Sequence, residues 1–107
     1  MTLTRKNLAF GQLPAVKGNL YVPSAANGLV HNILFHNTGS AKKTFYLYYH
    51  NGTNEYKIYE YEMSAYETVT LDFRGEGFII MNGGKITGNA TTAALITYKF
   101  DGTEESI

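Results

Sequence analysis

The 107-residue chain has no cysteine and no tryptophan, and only two prolines and three histidines. Without cysteine there is no disulfide framework, no thiolate zinc site and no thiol nucleophile. An excess of one charge is missing too: nine Lys+Arg balance nine Asp+Glu. No field therefore draws the chain to nucleic acid or to an anionic membrane surface. No apolar run approaches the roughly 18 residues of a membrane span. The first ten residues carry Arg5-Lys6 with no apolar segment behind the pair. A signal peptide is therefore not expected, and synthesis in a cytoplasm is. Stretches of helical periodicity are also lacking.

What remains is the composition of β structure. There are nine Tyr, six Phe and eleven Gly, with many Asn and Thr. Aromatic and β-branched residues suit a pleated, half-buried surface, while Gly and Asn supply turns. Turn signals fall at short intervals: Lys17-Gly18-Asn19, Asn27-Gly28, Asn37-Thr38-Gly39-Ser40, Asn51-Gly52, Arg74-Gly75-Glu76-Gly77, Asn82-Gly83-Gly84, Gly88-Asn89 and Asp101-Gly102. Strands of five to nine residues between such signals predict an all-β fold. The expected architecture is one antiparallel β-sandwich of about eight strands over residues 13–107, jelly-roll-like or immunoglobulin-like. Residues 1–12 are expected as an N-terminal arm.

The strands differ in pattern. Residues 92–100 put Ala94, Ile96, Tyr98 and Phe100 on one face. Residues 66–73 put Val69, Leu71 and Phe73 on one face and Thr68, Thr70 and Asp72 on the other. Phe78-Ile79-Ile80-Met81 reads as a strand covered on both faces. Residues 29–36 and 43–50 are apolar on both sides, through Val30 and Leu34 in the first and Tyr46 and Tyr48 in the second. Asn51-Gly52 marks a hairpin, because both residues accept positive φ. Asp101 to Ser106 reads as an acidic tail.

No catalytic constellation emerges. His31 and His36 differ in parity and should occupy opposite faces of one strand, which leaves zinc without a ligand set. Glu60 and Glu62 share a strand face, a spacing compatible with glycosidase carboxylates but more economically read as solvated charge. The glycines precede no helix and so build no phosphate loop. No enzyme activity and no cofactor are expected. The unusual feature is the tyrosine set: Tyr46, Tyr48, Tyr49, Tyr56, Tyr59, Tyr61 and Tyr66. Exposed tyrosines stack on sugars, but they are also enriched where proteins meet. Strands greasy on both sides in so small a domain call for covering by like copies. The interface residues expected on this basis are Leu8, Phe10, Tyr46, Tyr48, Tyr56, Tyr59 and Tyr61.

The order of segments carries a resemblance. Gly11-Gln12-Leu13-Pro14 is followed by Gly18-Asn19-Leu20-Tyr21-Val22-Pro23, then Phe35-His36-Asn37-Thr38-Gly39-Ser40 and the strand Thr44 to Tyr49. Glu67-Thr68-Val69-Thr70-Leu71, Gly84-Lys85-Ile86-Thr87-Gly88-Asn89-Ala90 and Asp101-Gly102-Thr103-Glu104 complete the series. Over residues 11–104 this resembles small tailed-bacteriophage virion proteins. The resemblance implies a β-sandwich subunit, often trimeric, that decorates the capsid or sits on a head fibre or tail. The implied partners are sister subunits and a major capsid or tail protein, and the implied location is the virion. A carbohydrate-binding module that uses surface tyrosines on a host-surface glycan is the alternative.

Overall fold

A computed structural model describes residues 2–24, 27–73, 77–81 and 83–106, with side chains from Asn7 to Glu105. The chain is all-β, and the described residues contain no helix. Among the described residues nine strands follow one another: β1 (Thr2–Gln12), β2 (Gly18–Tyr21), β3 (Asn27–Asn37), β4 (Lys43–His50), β5 (Glu55–Met63), β6 (Thr68–Asp72), β7 (Phe78–Met81), β8 (Lys85–Ala90) and β9 (Ile96–Ser106). Sheet A has the order β1-β9-β3-β6, with β7 also on β3. Sheet B has the order β2-β8-β4-β5.

Every pairing is antiparallel. The first strand pairs with the last, β2 with β8, β3 with β6 and β7, and β4 with β5. Strands β6 and β7 share one lane along β3, against Asn32–His36 and Asn27–Val30 respectively. Counting that lane once gives eight strands, wound as a long hairpin folded over on itself. This is the jelly-roll path, with its tip at the β4–β5 turn. At that tip Asn51 Oδ1 accepts from the amides of Thr53 and Asn54. Gly52 takes φ 99°, a conformation that costs a residue without Cβ little.

Alternation fills the space between the sheets. Phe45, Leu47 and Tyr49 of β4 face Ile33 and Phe35 of β3 and Ile96, Tyr98 and Phe100 of β9. Phe35 and Phe45 stack across the interface with centroids 4.2 Å apart. Tyr59 and Tyr61 pack beside Phe45. The folded surface is 5877 Å², against about 6,000 Å² for an ordinary monomer of this mass.

Bulges explain strands whose apolar pattern is irregular. An extra residue on one strand shifts all later side chains by one face. The β3–β9 register shifts between Val30 and Asn32, so Val30 and Ile33 are both buried despite opposite parity. His31 and His36, expected on opposite faces, therefore share the outer face of sheet A. Shifts between Asn7 and Ala9 in β1 and between Leu47 and Tyr48 in the β4–β5 pair act alike.

Several expectations are corrected. Residues 101–106 are not a tail: they continue β9, paired to β1 and β3 on both sides. Glu104 faces inward and accepts from the Tyr21 hydroxyl at 2.6 Å and the Ser24 hydroxyl at 2.9 Å. Asn27-Gly28 and Gly88-Asn89 lie inside strands rather than in turns. Tyr66 adopts φ 59° in the turn before β6, so that strand starts later than its pattern suggests. Strand β7 is covered on one face alone: Ile80 is fully buried, but Ile79 and Met81 are exposed. Residues 2–12 lie along β9 as an edge strand of the sandwich itself. The turn expected at Arg74-Gly75-Glu76 and the Asn82 position lie outside the described residues.

Gly28 illustrates why a turn signal sits within a strand. A Cβ there would collide with the Tyr21 hydroxyl and ring, and that ring is held by its bond to Glu104. Gly28→Ala should cost about 1–3 kcal/mol by overpacking. Thermal unfolding should show a fall in Tm on the order of 10 °C. An unchanged midpoint would mean that the Tyr21 ring has room to move.

Candidate functional site

Sheet B carries a polar, aromatic outer face. Tyr46 and Tyr48 alternate with the core residues of β4 and so point outward together, half-exposed. Across β5 they oppose Glu60 and Lys57, and across β8 they oppose Asn89 and Thr87. Lys17 Nζ lies 4.2 Å from the Tyr48 ring centroid, and Lys57 Nζ lies 5.5 Å from that of Tyr46. Lys17 also pairs with Glu55 at 2.5 Å and Lys57 with Glu60 at 2.8 Å. Thr87 donates its hydroxyl to Glu55 at 2.6 Å. Beside Tyr46, the Oδ1 of Asn89 is buried with no hydrogen-bond partner among the described residues.

The other residues singled out in the sequence are dispersed. Tyr59 and Tyr61 point inward, their rings stacked on each other with centroids 6.4 Å apart. Tyr61 donates to Glu67 at 2.7 Å. Leu8 is half-buried against the core. Tyr56 is exposed on β5, and Phe10 is 66% exposed on β1. The expected interface set thus divides among the core, the outer face of sheet B and two strand edges. His36 bonds Thr68 at 2.7 Å, and His50 accepts from the amide of Gly52. Among the described residues, no group of three or more His, Asp or Glu gathers as a metal site.

Two apolar features are not legible in the strand patterns. On the outer face of sheet A, Leu29, Ile79 and Met81 line a shallow groove of about 580 Å³ with His31, Thr103, Asn27 and Glu105. At the seam where the β5 and β6 edges meet, a hollow of about 300 Å³ opens between the sheets. Leu47, Ile58, Tyr59, Leu71, Phe73 and Phe78 line it, with Thr70 and Asp72. The exposed Ile58, at a register shift, is the available signal for that hollow.

Local contacts set the carboxyl chemistry. The Lys17 ammonium, aided by the Thr87 hydroxyl, holds the Glu55 carboxyl below the ordinary carboxylate range. The amide of Ser64, aided by the Tyr61 hydroxyl, does the same for Glu67. Burial, and then the bond to Glu104, pushes the Tyr21 phenol up. A carboxyl with a lowered folded pKa adds stability above its unfolded pKa and loses it as pH falls through the folded one. Melting temperature should therefore be insensitive to these two groups near neutrality and decline below about pH 4. The change should be small, since exposed pairs are screened. Glu67→Gln should flatten part of that decline in melts run from pH 3 to 8. A parallel pH profile would show that Glu67 does not contribute.

No protein-family model matches the chain, and comparisons with curated proteins and with solved structures likewise return no match.

Proposed function

We propose that the protein is a non-enzymatic structural subunit of a tailed-bacteriophage virion. In this reading it is made in the host bacterial cytoplasm and assembles as a homotrimer. It then attaches to a major capsid or tail protein, decorating the capsid or forming part of a head fibre or tail. The order of its strand-and-turn segments supports the reading, as does the jelly-roll path, which recurs in viral capsid domains. The fold is shared with lectin domains and so does not decide function by itself.

The observation that carries the proposal is the bare apolar surface of sheet A. Phe10 is 66% exposed, Ile79 46% and Met81 63%. They stand on strands whose opposite faces pack against the core through Leu8, Ala9, Phe78 and Ile80. Ile79 and Met81 line one groove with Leu29, Phe10 stands apart from it on β1, and exposed apolar surface of this kind marks sites where proteins meet. Sister subunits and a virion partner are the natural covering, and an obligate interface of this kind exceeds ~1,600 Å². Light scattering of the purified protein should give about three times the 11.9 kDa chain mass. A stable monomer in dilute buffer would overturn the assembly.

One observation favours a second reading, carbohydrate binding. Tyr46 and Tyr48 point outward together from β4, half-exposed, and tyrosine is a stacking surface for a sugar ring. On that reading Tyr46→Ala abolishes retention on an immobilised glycan and leaves mass unchanged. Under the structural reading, wild-type protein is not retained.

A further inference from the structure

We infer that copies of this chain join head to tail, with Phe10 of one protomer seated in the β5–β6 seam hollow of the next. The inference rests on the self-assembly reading above and specifies its contact.

The knob and the hole lie at opposite margins of the molecule. In sheet A, β1 and β6 are separated by β9 and β3, or three inter-strand steps totalling roughly 14 Å. Phe10 opposes Lys99 in the β1–β9 ladder and is largely bare. At the far margin the hollow is walled by Leu47, Ile58, Tyr59, Leu71, Phe73 and Phe78. Its volume of about 300 Å³ stands at the small end of ligand pockets, ~300–1,000 Å³. That size suits an aromatic side chain better than an extended ligand.

Charge complements shape. Lys99, next to the knob, carries a half-exposed ammonium whose contact with Asp101 is a long 3.5 Å; close charged pairs sit at about 2.7–2.9 Å. Asp72, at the mouth of the hollow, is exposed. Docking Phe10 thus brings a cation toward an anion at the rim. Because the two patches differ, the contact is heterologous, and such contacts close into rings when the rotation allows. Every protomer then fills one hollow and lends one ring.

Mixing two variants tests this. Phe10→Asp spoils the knob and spares the hole; Ile58→Asp places a carboxylate at the hole and spares the knob. Both positions are exposed, so each variant should melt cooperatively. Each alone should run at monomer mass in native mass spectrometry. An equimolar mixture should form a 1:1 dimer and no ring, since one good knob meets one good hole. If Ile58→Asp fails to fold, Asp72→Lys replaces it on the hole side, and Lys99→Glu in the same chain should restore the assembly. Retention of wild-type mass by a folded Phe10→Asp would overturn the contact while leaving self-assembly intact. Monomers that stay apart on mixing would overturn the head-to-tail arrangement. A monomeric wild type would overturn the self-assembly reading itself.

Discussion

The face-to-face stack of Phe35 on Phe45 is the contact on which the rest of the sandwich depends. The two sheets run as separate ladders, so packing between their inner faces holds the layers together. Phe35 is the last buried apolar residue of β3, and Phe45 is the first of β4 on the other sheet. Between them the chain crosses through Asn37, which is fully buried. Its amide donates to the carbonyls of Ala41 and Ser64, and its Oδ1 accepts from Gly39. One polar side chain thereby pins the β3–β4 crossing to the β5–β6 turn and fixes how the aromatic pair meets. Tyr59 and Tyr61 extend the cluster toward the β5 edge, with Glu67 holding the Tyr61 hydroxyl at the sandwich end.

Regular period-2 stretches are legible in the amino-acid sequence. Strand β4 shows its two faces openly, with Phe45 and Leu47 inside and Tyr46 and Tyr48 outside. The hairpin at Asn51-Gly52 follows from local chemistry alone. Misreadings arise where backbone geometry depends on distant residues. Gly102 looks like a turn, yet a Cβ there would strike the carbonyl of Leu29, so glycine serves close strand approach. Glu104 looks like a solvated tail residue until Tyr21, far away in sequence, meets its carboxylate. Parity misleads for His31 and His36 because one inserted residue reverses all later faces. The Asn37-Thr38-Gly39-Ser40 segment reads as a turn, and its physical role is that of a three-bonded loop staple.

The candidate surfaces sort in the same way. Tyrosine abundance points to β4 and β5, but period-2 geometry turns Tyr49, Tyr59 and Tyr61 inward, half-buried against the core. Tyr46 and Tyr48 remain outside, where Lys57 and Lys17 lie over their rings and are paired with Glu60 and Glu55 in turn. That face is largely self-satisfied. The outer face of sheet A has no such cover over Ile79 and Met81, and neither has Phe10. Composition therefore signals abundant aromatic strand surface, and period-2 geometry divides it between the margin of the core and the outer faces. The seam hollow arises from two edges meeting, which no single strand encodes.

The pairing of β1 with β9 has a consequence for synthesis. Gln12 meets Thr97 and Thr2 meets Ser106, so the first strand leaves the ribosome long before its neighbour exists. Loop-closure entropy must be overcome across nearly the whole chain before that ladder yields a hydrogen bond. Folding by such non-local contacts is slow. Until β9 slots between β1 and β3, both strands present open backbone edges to any other nascent chain nearby.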